Sequence, residues 1–188
     1  TWLYELDDYF TPSSTQFDVA KGHRGSIETW LDKNLGIYRM FEIGSLRHGT
    51  GVWLHSDADY LVLLQGTKPQ WSSSMLERVR ASLVARFPTT PVAVRRPAVA
   101  CHFSDCVVEV VPGYLADTAS GDHGYWIAAP DGDWMKTYPE AHKRYVGDSN
   151  KKHGGAAKRL ARILKVWKYE RGENARSEER RVGKECRS

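Results

Sequence analysis

"GSLRHGTGVWLHSDADYLVLL", residues 44–64, is the stretch on which the reading of this chain turns. Two glycine turns, Gly44-Ser45 and Gly49-Thr50-Gly51, precede two aspartates one residue apart, and an apolar run follows. That run, closed by "QGTKPQ", predicts a strand. On a strand, Asp57 and Asp59 share one face, roughly 7 Å apart along the backbone. Two carboxylates so placed repel each other, and an apolar strand offers no compensation. A divalent cation does, and Mg²⁺ is commonly held by one or two carboxylates together with substrate phosphates. Upstream, Gly44-Ser45 makes a tight turn whose N–H groups and hydroxyl can face phosphate oxygens. A short helix after Ser45 would add its N-terminus to that anion site. Glycines at 44, 49 and 51 let a triphosphate approach the backbone closely. A Gly-Ser turn alone is an ordinary turn, and an Asp-x-Asp pair alone is a solvated strand edge or a calcium-like loop. Their conjunction, in this order and ahead of a strand, points to phosphate chemistry.

Working outward, "SIETWLDKNLG" (Ser26–Gly36) predicts a helix, with Ser26 as N-cap, Ile27, Trp30, Leu31 and Leu35 at helical spacing, and Gly36 as stop. "IYRMFEIG" predicts a strand into the Gly44-Ser45 turn. "SSSMLERVRASLVARF" predicts a helix with Met75, Leu76, Val79, Leu83, Val84 and Phe87 on one side and Pro88 beyond its end. "TPVAVRRPAVACHF" and "CVVEVVPGY" read as two strands joined by a turn at Ser104-Asp105, and "GYWIAAPDGDW" as a short strand entering a Pro-Asp-Gly turn. "PEAHKRYVGDSNKK" and "AAKRLARILKVWKYE" predict helices separated by Gly154-Gly155. In the second, Leu160, Ile163, Leu164 and Trp167 form an apolar stripe opposite Lys158, Arg162 and Lys165. The order is helix, two strands, helix, strands, helices, which predicts an α/β or α+β fold, a sheet with helices packed on it.

The chain has 188 residues with 41% hydrophobic and 27% charged, enough for a packed core and too apolar for wholesale disorder. No apolar run reaches the about 18 residues that a spanning helix needs, and no N-terminal segment has the shape of a secretory signal. Three cysteines make no disulfide framework, and a reducing, cytoplasmic setting is expected. The last thirteen residues, "RSEERRVGKECRS" (Arg176–Ser188), have the composition of a disordered tail. They also match the translation of a common short-read sequencing adapter, so the natural sequence is expected to leave this one after Ala175. Thr1 is likewise not read as a natural start. Without the tail's five Lys/Arg and three Glu, the net charge falls from +4 to +2, too small to argue for a nucleic-acid partner. Cys186 then drops out of any metal or redox argument.

The string Gly-Ser-x-x-x-Gly-Thr, then Ser-Asp-x-Asp on the next strand, resembles the signature of the polymerase-β-like nucleotidyltransferase superfamily. Within it, the closest likeness is to the bacterial cGAS/DncV-like nucleotidyltransferases, the SMODS domains of anti-phage signalling. "VVEVVPGY" supplies Glu109 where that family carries a third carboxylate, usually Asp. The later Pro-Asp-Gly, Thr-x-Pro-x-x-His and Lys-x-Trp-Lys segments also match, so the resemblance covers residues 27–169. It implies a polymerase-β-like fold with a mixed, mostly antiparallel sheet. The implied layout is an N-terminal segment (1–25), a catalytic core (26–150), the start of a helical C-terminal portion (151–175) and the tail (176–188). In the family that helical portion continues and completes the nucleotide pocket; here it is expected to be cut short.

The resemblance implies two-metal nucleotidyl transfer: Asp57, Asp59 and Glu109 hold two Mg²⁺ (or Mn²⁺), and Glu109 is also a candidate for the hydroxyl proton. Gly44 and Ser45 would hold the β- and γ-phosphates, and Lys165 would neutralise triphosphate charge, the plainer account of Lys165 being a solvated basic face. Substrates would be nucleoside triphosphates, ATP or GTP among them, joined into a short cyclic second messenger for an effector protein, with no membrane partner. Rival readings are a related transferase acting on a tRNA, a protein or a drug, and a nucleotide-binding module without catalysis. Glu in place of Asp moves the third carboxylate one methylene further out; Asp105, in a turn, is the fallback ligand. Cys101, Cys106 and His102 have spacing too weak for a zinc site. His48 reads as solvent-facing or capping, and His142 as packing. Trp134, Tyr138, Tyr145 and Trp167 are candidates to stack a base.

Overall fold

The computed structural model describes residues 2–12, 14–52, 57–116 and 123–171. Residues 53–56 of the opening stretch and the tail at 176–188, with Cys186, lie outside them. In chain order the elements are α1 (Trp2–Phe10), α2 (Ser14–Leu35), β1 (Ile37–Glu42), α3 (Gly44–His48), β2 (Ala58–Leu64) and α4 (Ser72–Arg86). There follow β3 (Val92–Arg95), β4 (Ala98–His102), β5 (Val107–Leu115), β6 (Tyr125–Ala128), β7 (Trp134–Thr137), α5 (Pro139–Lys152) and α6 (Ala156–Glu170).

One sheet runs β1-β2-β5-β4-β3, and the far half of β5 pairs instead with β6, which pairs with β7. β2 and β5 are parallel while the remaining pairs are antiparallel, so the sheet is mixed and mostly antiparallel as expected. β2 is buried on both faces, which is why it reads as a continuous apolar run. Period-2 alternation sends Ala58, Tyr60, Val62 and Leu64 into the main core with Ile27 and Leu31 of α2 and Met75, Leu76, Val79 and Leu83 of α4. Leu61 and Leu63 point the other way, into a smaller cluster with Ala98, Val111, Tyr125 and Ile127. Asp57 and Asp59 belong to this second face, away from the two long helices.

Several elements differ from expectation. α2 begins at Ser14, not at Ser26, and passes through Gly22 and Gly25; burial of Ala20, Ile27 and Leu31 overrides the glycines' poor helix propensity. The stretch expected as one strand at 90–103 is a hairpin, β3 and β4, turning at Arg96-Pro97. β7 and α1 lack a clear sequence signal. Val84 is 39% exposed, off the buried face of α4. α5 starts with Pro139 at its first turn, as its sequence predicts. The Indole N–H of Trp30 ties α2 to α4 by donating to the Ser82 carbonyl at 2.9 Å.

Candidate active site

The parallel register sets Asp59 directly beside Glu109. Asp57 stands one residue before β2, close enough that its charge raises the pKa of both Asp59 and Glu109. Burial, then repulsion from Glu109 and Asp57, pushes Asp59 up to about 7. Burial also raises Asp57 and Glu109, against the fields of Arg95 and His102. Arg95 Nη1 lies 4.0 Å from Glu109 Oε1. The trio is thus an anionic patch on the second sheet face, made of hard oxygen donors and partly desolvated. A divalent cation suits that donor set.

Above it, α3 places the Gly44-Ser45 turn against the carboxylates. Gly44 is left-handed (φ +68), and a Cβ there would come within 2.0 Å of Asp59 Oδ2. Glycine here makes room for Asp59 itself. The Ser45 amide hydrogen-bonds the Asp59 carboxylate, which occupies part of the anion position expected for phosphate. The Ile43 amide donates to the Asp59 carbonyl at 2.8 Å. Gly49, left-handed at φ +67, ends α3: its N–H donates to Leu46 O and that of Thr50 to Ser45 O, a Schellman pairing.

Beside Ser45 opens a cavity of about 310 Å³ lined by Ile43, Gly44, Ser45, His48, Thr50, Thr137, Pro139, His142 and Lys165. Lys165 reaches it from α6, its Nζ donating to Thr50 O at 2.9 Å. Burial lowers the Lys165 pKa while the charge of Asp59 opposes the shift. Gly44 and Ser45 therefore line one cavity with Lys165, which is far from them in sequence. His48 is 8% exposed, not solvent-facing; its ring meets His142 edge-on at 4.7 Å, and its Nδ1 is buried without a hydrogen-bond partner. Burial, the cations Arg47, Lys158 and Lys165, and His142 lower its pKa. α5 is held over this site by Glu140, which accepts from Arg39 at 2.9 Å and from the Tyr125 hydroxyl at 3.0 Å.

Other candidates fall elsewhere. Asp105 bonds His23 Nε2 at 2.8 Å, so Glu109 is the acid beside Asp59. Cys101 is buried in the main core. Trp134 packs edge-on against Tyr114 and donates to Gln70 O; Tyr145 is 72% exposed. The sequence reading missed Arg95 and Tyr169. Tyr169 feels the charges of Asp57 and Asp59 from the last turn of α6; only its i+4 spacing from Lys165 hinted at a shared face.

The profile of the Second Messenger Oligonucleotide or Dinucleotide Synthetase domain matches residues 3–150. A probable cyclic nucleotide synthase of Bacillus cereus (strain VD146) is 26% identical over 111 residues, covering 56% of this chain and 34% of that protein. This chain thus spans about a third of that relative's length. The Elizabethkingia meningoseptica CdnE cyclic dinucleotide synthase, solved with GTP and Apcpp, superposes with a TM-score of 0.75 at 19% identity, covering 93% of this chain and 67% of that one. The CdnC of E. coli MS115-1, solved with ATP, gives 0.66 at 22% identity over 84% of this chain and 53% of that one. These two structures share the fold, and the profile fixes the family: the chain belongs to the SMODS family of bacterial cGAS/DncV-like nucleotidyltransferases.

Proposed function

We propose that this chain is a nucleotidyl-transferring core that joins ribonucleoside triphosphates into a short cyclic oligonucleotide, a second messenger read by an effector protein in anti-phage signalling. One observation carries the reading: Asp59 and Glu109 stand side by side with Asp57 at the foot of the Gly44-Ser45 turn. Asp57, Asp59 and Glu109 are the residues to hold the divalent cation: burial raises the pKa of all three, neighbouring carboxylates raise Asp59 and Glu109 further, and a bound cation would offset both effects. When bound, Mg²⁺ (two ions, with Mn²⁺ as substitute) supplies positive charge to the attacking oxygen and the leaving pyrophosphate. The Ser45 hydroxyl and Lys165 hold the triphosphate tail in the cavity they line. His48 and His142 shape its floor. In the reaction a hydroxyl oxygen bonds to the α-phosphorus of a second nucleotide, the bond to pyrophosphate breaks, and Glu109 takes the hydroxyl proton. The nucleotides present in the two solved relatives favour ATP and GTP as first substrates to try.

The test is to incubate the chain with the four ribonucleoside triphosphates and Mg²⁺ or Mn²⁺, following pyrophosphate release and resolving products by mass spectrometry. A phosphatase-resistant cyclic product, absent with Asp57→Asn, is the expected outcome. A labelled tRNA or protein instead would select the related transferase. ATP·Mg binding with no pyrophosphate released would make the chain a binding module; neither binding nor release would overturn the reading.

A further inference from the structure

Away from the carboxylates, a second group of ligating side chains converges where α2 meets the turn between β4 and β5. His23 Nε2, Asp105 Oδ1 and Cys106 Sγ offer one ligand atom each, all within 4.8 Å of one another. They are the described residues that do so; the oxygens of Asp57, Asp59 and Glu109 are not drawn into such a cluster. His23 is fixed in orientation, its ring stacked on Phe103 at 3.8 Å and 12°, with Phe103 in turn edge-on against Phe87 at 5.1 Å. Its Nε2 is aimed at Asp105, 2.8 Å away. The His23 side chain is 25% exposed and that of Asp105 49%, so an ion has an entry path and the donors are not solvent-swept.

We propose that His23, Asp105 and Cys106 form a binding site for a borderline-soft divalent cation of the Zn²⁺ class, a clasp between α2 and the head of β5. The donor set of one imidazole, one carboxylate and one sulfur suits Zn²⁺ and not Mg²⁺, which takes oxygen ligands. Ligand atoms around tetrahedral Zn²⁺ sit about 3.5 Å apart, given bonds of roughly 2.0–2.3 Å. The separations therefore need to change by at most about 1.3 Å, with the His23–Asp105 hydrogen bond opening to admit the ion. Three protein ligands leave one position for water. The thiol loses its proton on binding, as coordinating thiols do. The clasp matters because Cys106 immediately precedes β5, three residues before Glu109. The plainer account is that the His23–Asp105 pair is complete in itself and Cys106 is a bystander.

Cobalt distinguishes the two, because a thiolate on Co²⁺ gives a near-ultraviolet charge-transfer band that carboxylates do not. The chain carrying Cys186→Ser should take up one Co²⁺ with that band, and Zn²⁺ should displace it. Cys106→Ser should abolish the band, and His23→Gln should weaken Co²⁺ binding by more than the roughly tenfold that loss of an outer-shell partner costs. Asp57→Asn should leave the band unchanged. Zn²⁺ should also raise the thermal midpoint in the Cys186→Ser protein and not in its Cys106→Ser derivative. No thiolate band, or a band and midpoint shift indifferent to both Cys106→Ser and His23→Gln, would overturn the proposal. Circular dichroism of each variant separates a lost ligand from a lost fold.

Discussion

Gly44 and Asp59 occupy each other's space, and that makes the turn intolerant of any side chain. Gly44→Ala places a methyl where Asp59 Oδ2 now lies and forces a left-handed alanine, costing roughly 1–2 kcal/mol for the backbone alone. The expected outcome is a lower thermal midpoint together with lost pyrophosphate release. Asp59→Asn should behave differently. It removes a half-buried charge that its neighbours repel, so transfer is abolished while the midpoint holds or rises; a fall in the midpoint would mark the pair as structural. Gly44, Asp57 and Asp59 could be picked out in sequence because a period of two and a turn rule act over a few residues, whereas Glu109 came only from the family resemblance. His48 was not, since its burial depends on His142, on an element that starts at Pro139. Its lowered pKa means that the unfolded chain binds the proton first. The stability His48 contributes is present above about pH 6.5 and declines as pH falls through the folded value. Thermal midpoints from pH 8 to 5 should therefore fall less steeply in His48→Gln.

α6 shows at the level of elements that an apolar stripe need not be the side that docks: Leu160, Leu164 and Trp167 are 57, 53 and 52% exposed. The basic stripe docks instead. Arg162 donates to both oxygens of Asp7 at 2.6 Å and also to Gly49 O, Arg159 lies 3.9 Å over the Tyr4 ring, and Lys165 holds Thr50 O. Asp7 is 4% exposed and its pKa is lowered chiefly by hydrogen bonds from Arg162. Asp7→Asn leaves Arg162 without its counter-charge, a loss on the order of 3 kcal/mol, read as faster amide exchange in α1 and α6. No periodicity could reveal a clasp between residues 155 positions apart. α2 carries the converse lesson, its length hidden by two glycines. A Cβ at Gly25 would meet nothing within 4 Å, so Gly25→Ala should stabilise the protein by about 0.5–1 kcal/mol in chemical denaturation.

Across the whole molecule, the two sheet faces differ: one is packed by α2 and α4, and the other carries a smaller apolar cluster beside Asp57, Asp59 and Glu109, the residues of the proposed chemistry. Leu83→Ala, on the packed face, should cost about 2–5 kcal/mol in denaturant unfolding while leaving nucleotide binding intact below the midpoint. The division was visible in "DADYLVLL", where one alternating set is acidic and then apolar (Asp57, Asp59, Leu61, Leu63) and the other is Ala58, Tyr60, Val62 and Leu64. The strand order was not, because nothing local announces that β5 inserts between β2 and β4. That insertion has a temporal consequence. β2 and β5 form the sheet's parallel pair, and α4, β3 and β4 lie between them in the chain. Helices and hairpins close quickly, whereas a parallel pairing waits for a long loop to be drawn in. During synthesis, a ribosome that has released residues up to the β3–β4 hairpin has made a chain with Asp57 and Asp59 but without Glu109. The carboxylate trio is completed in a single late event, when β5 slides home, and its cavity closes only after α5 and α6 follow.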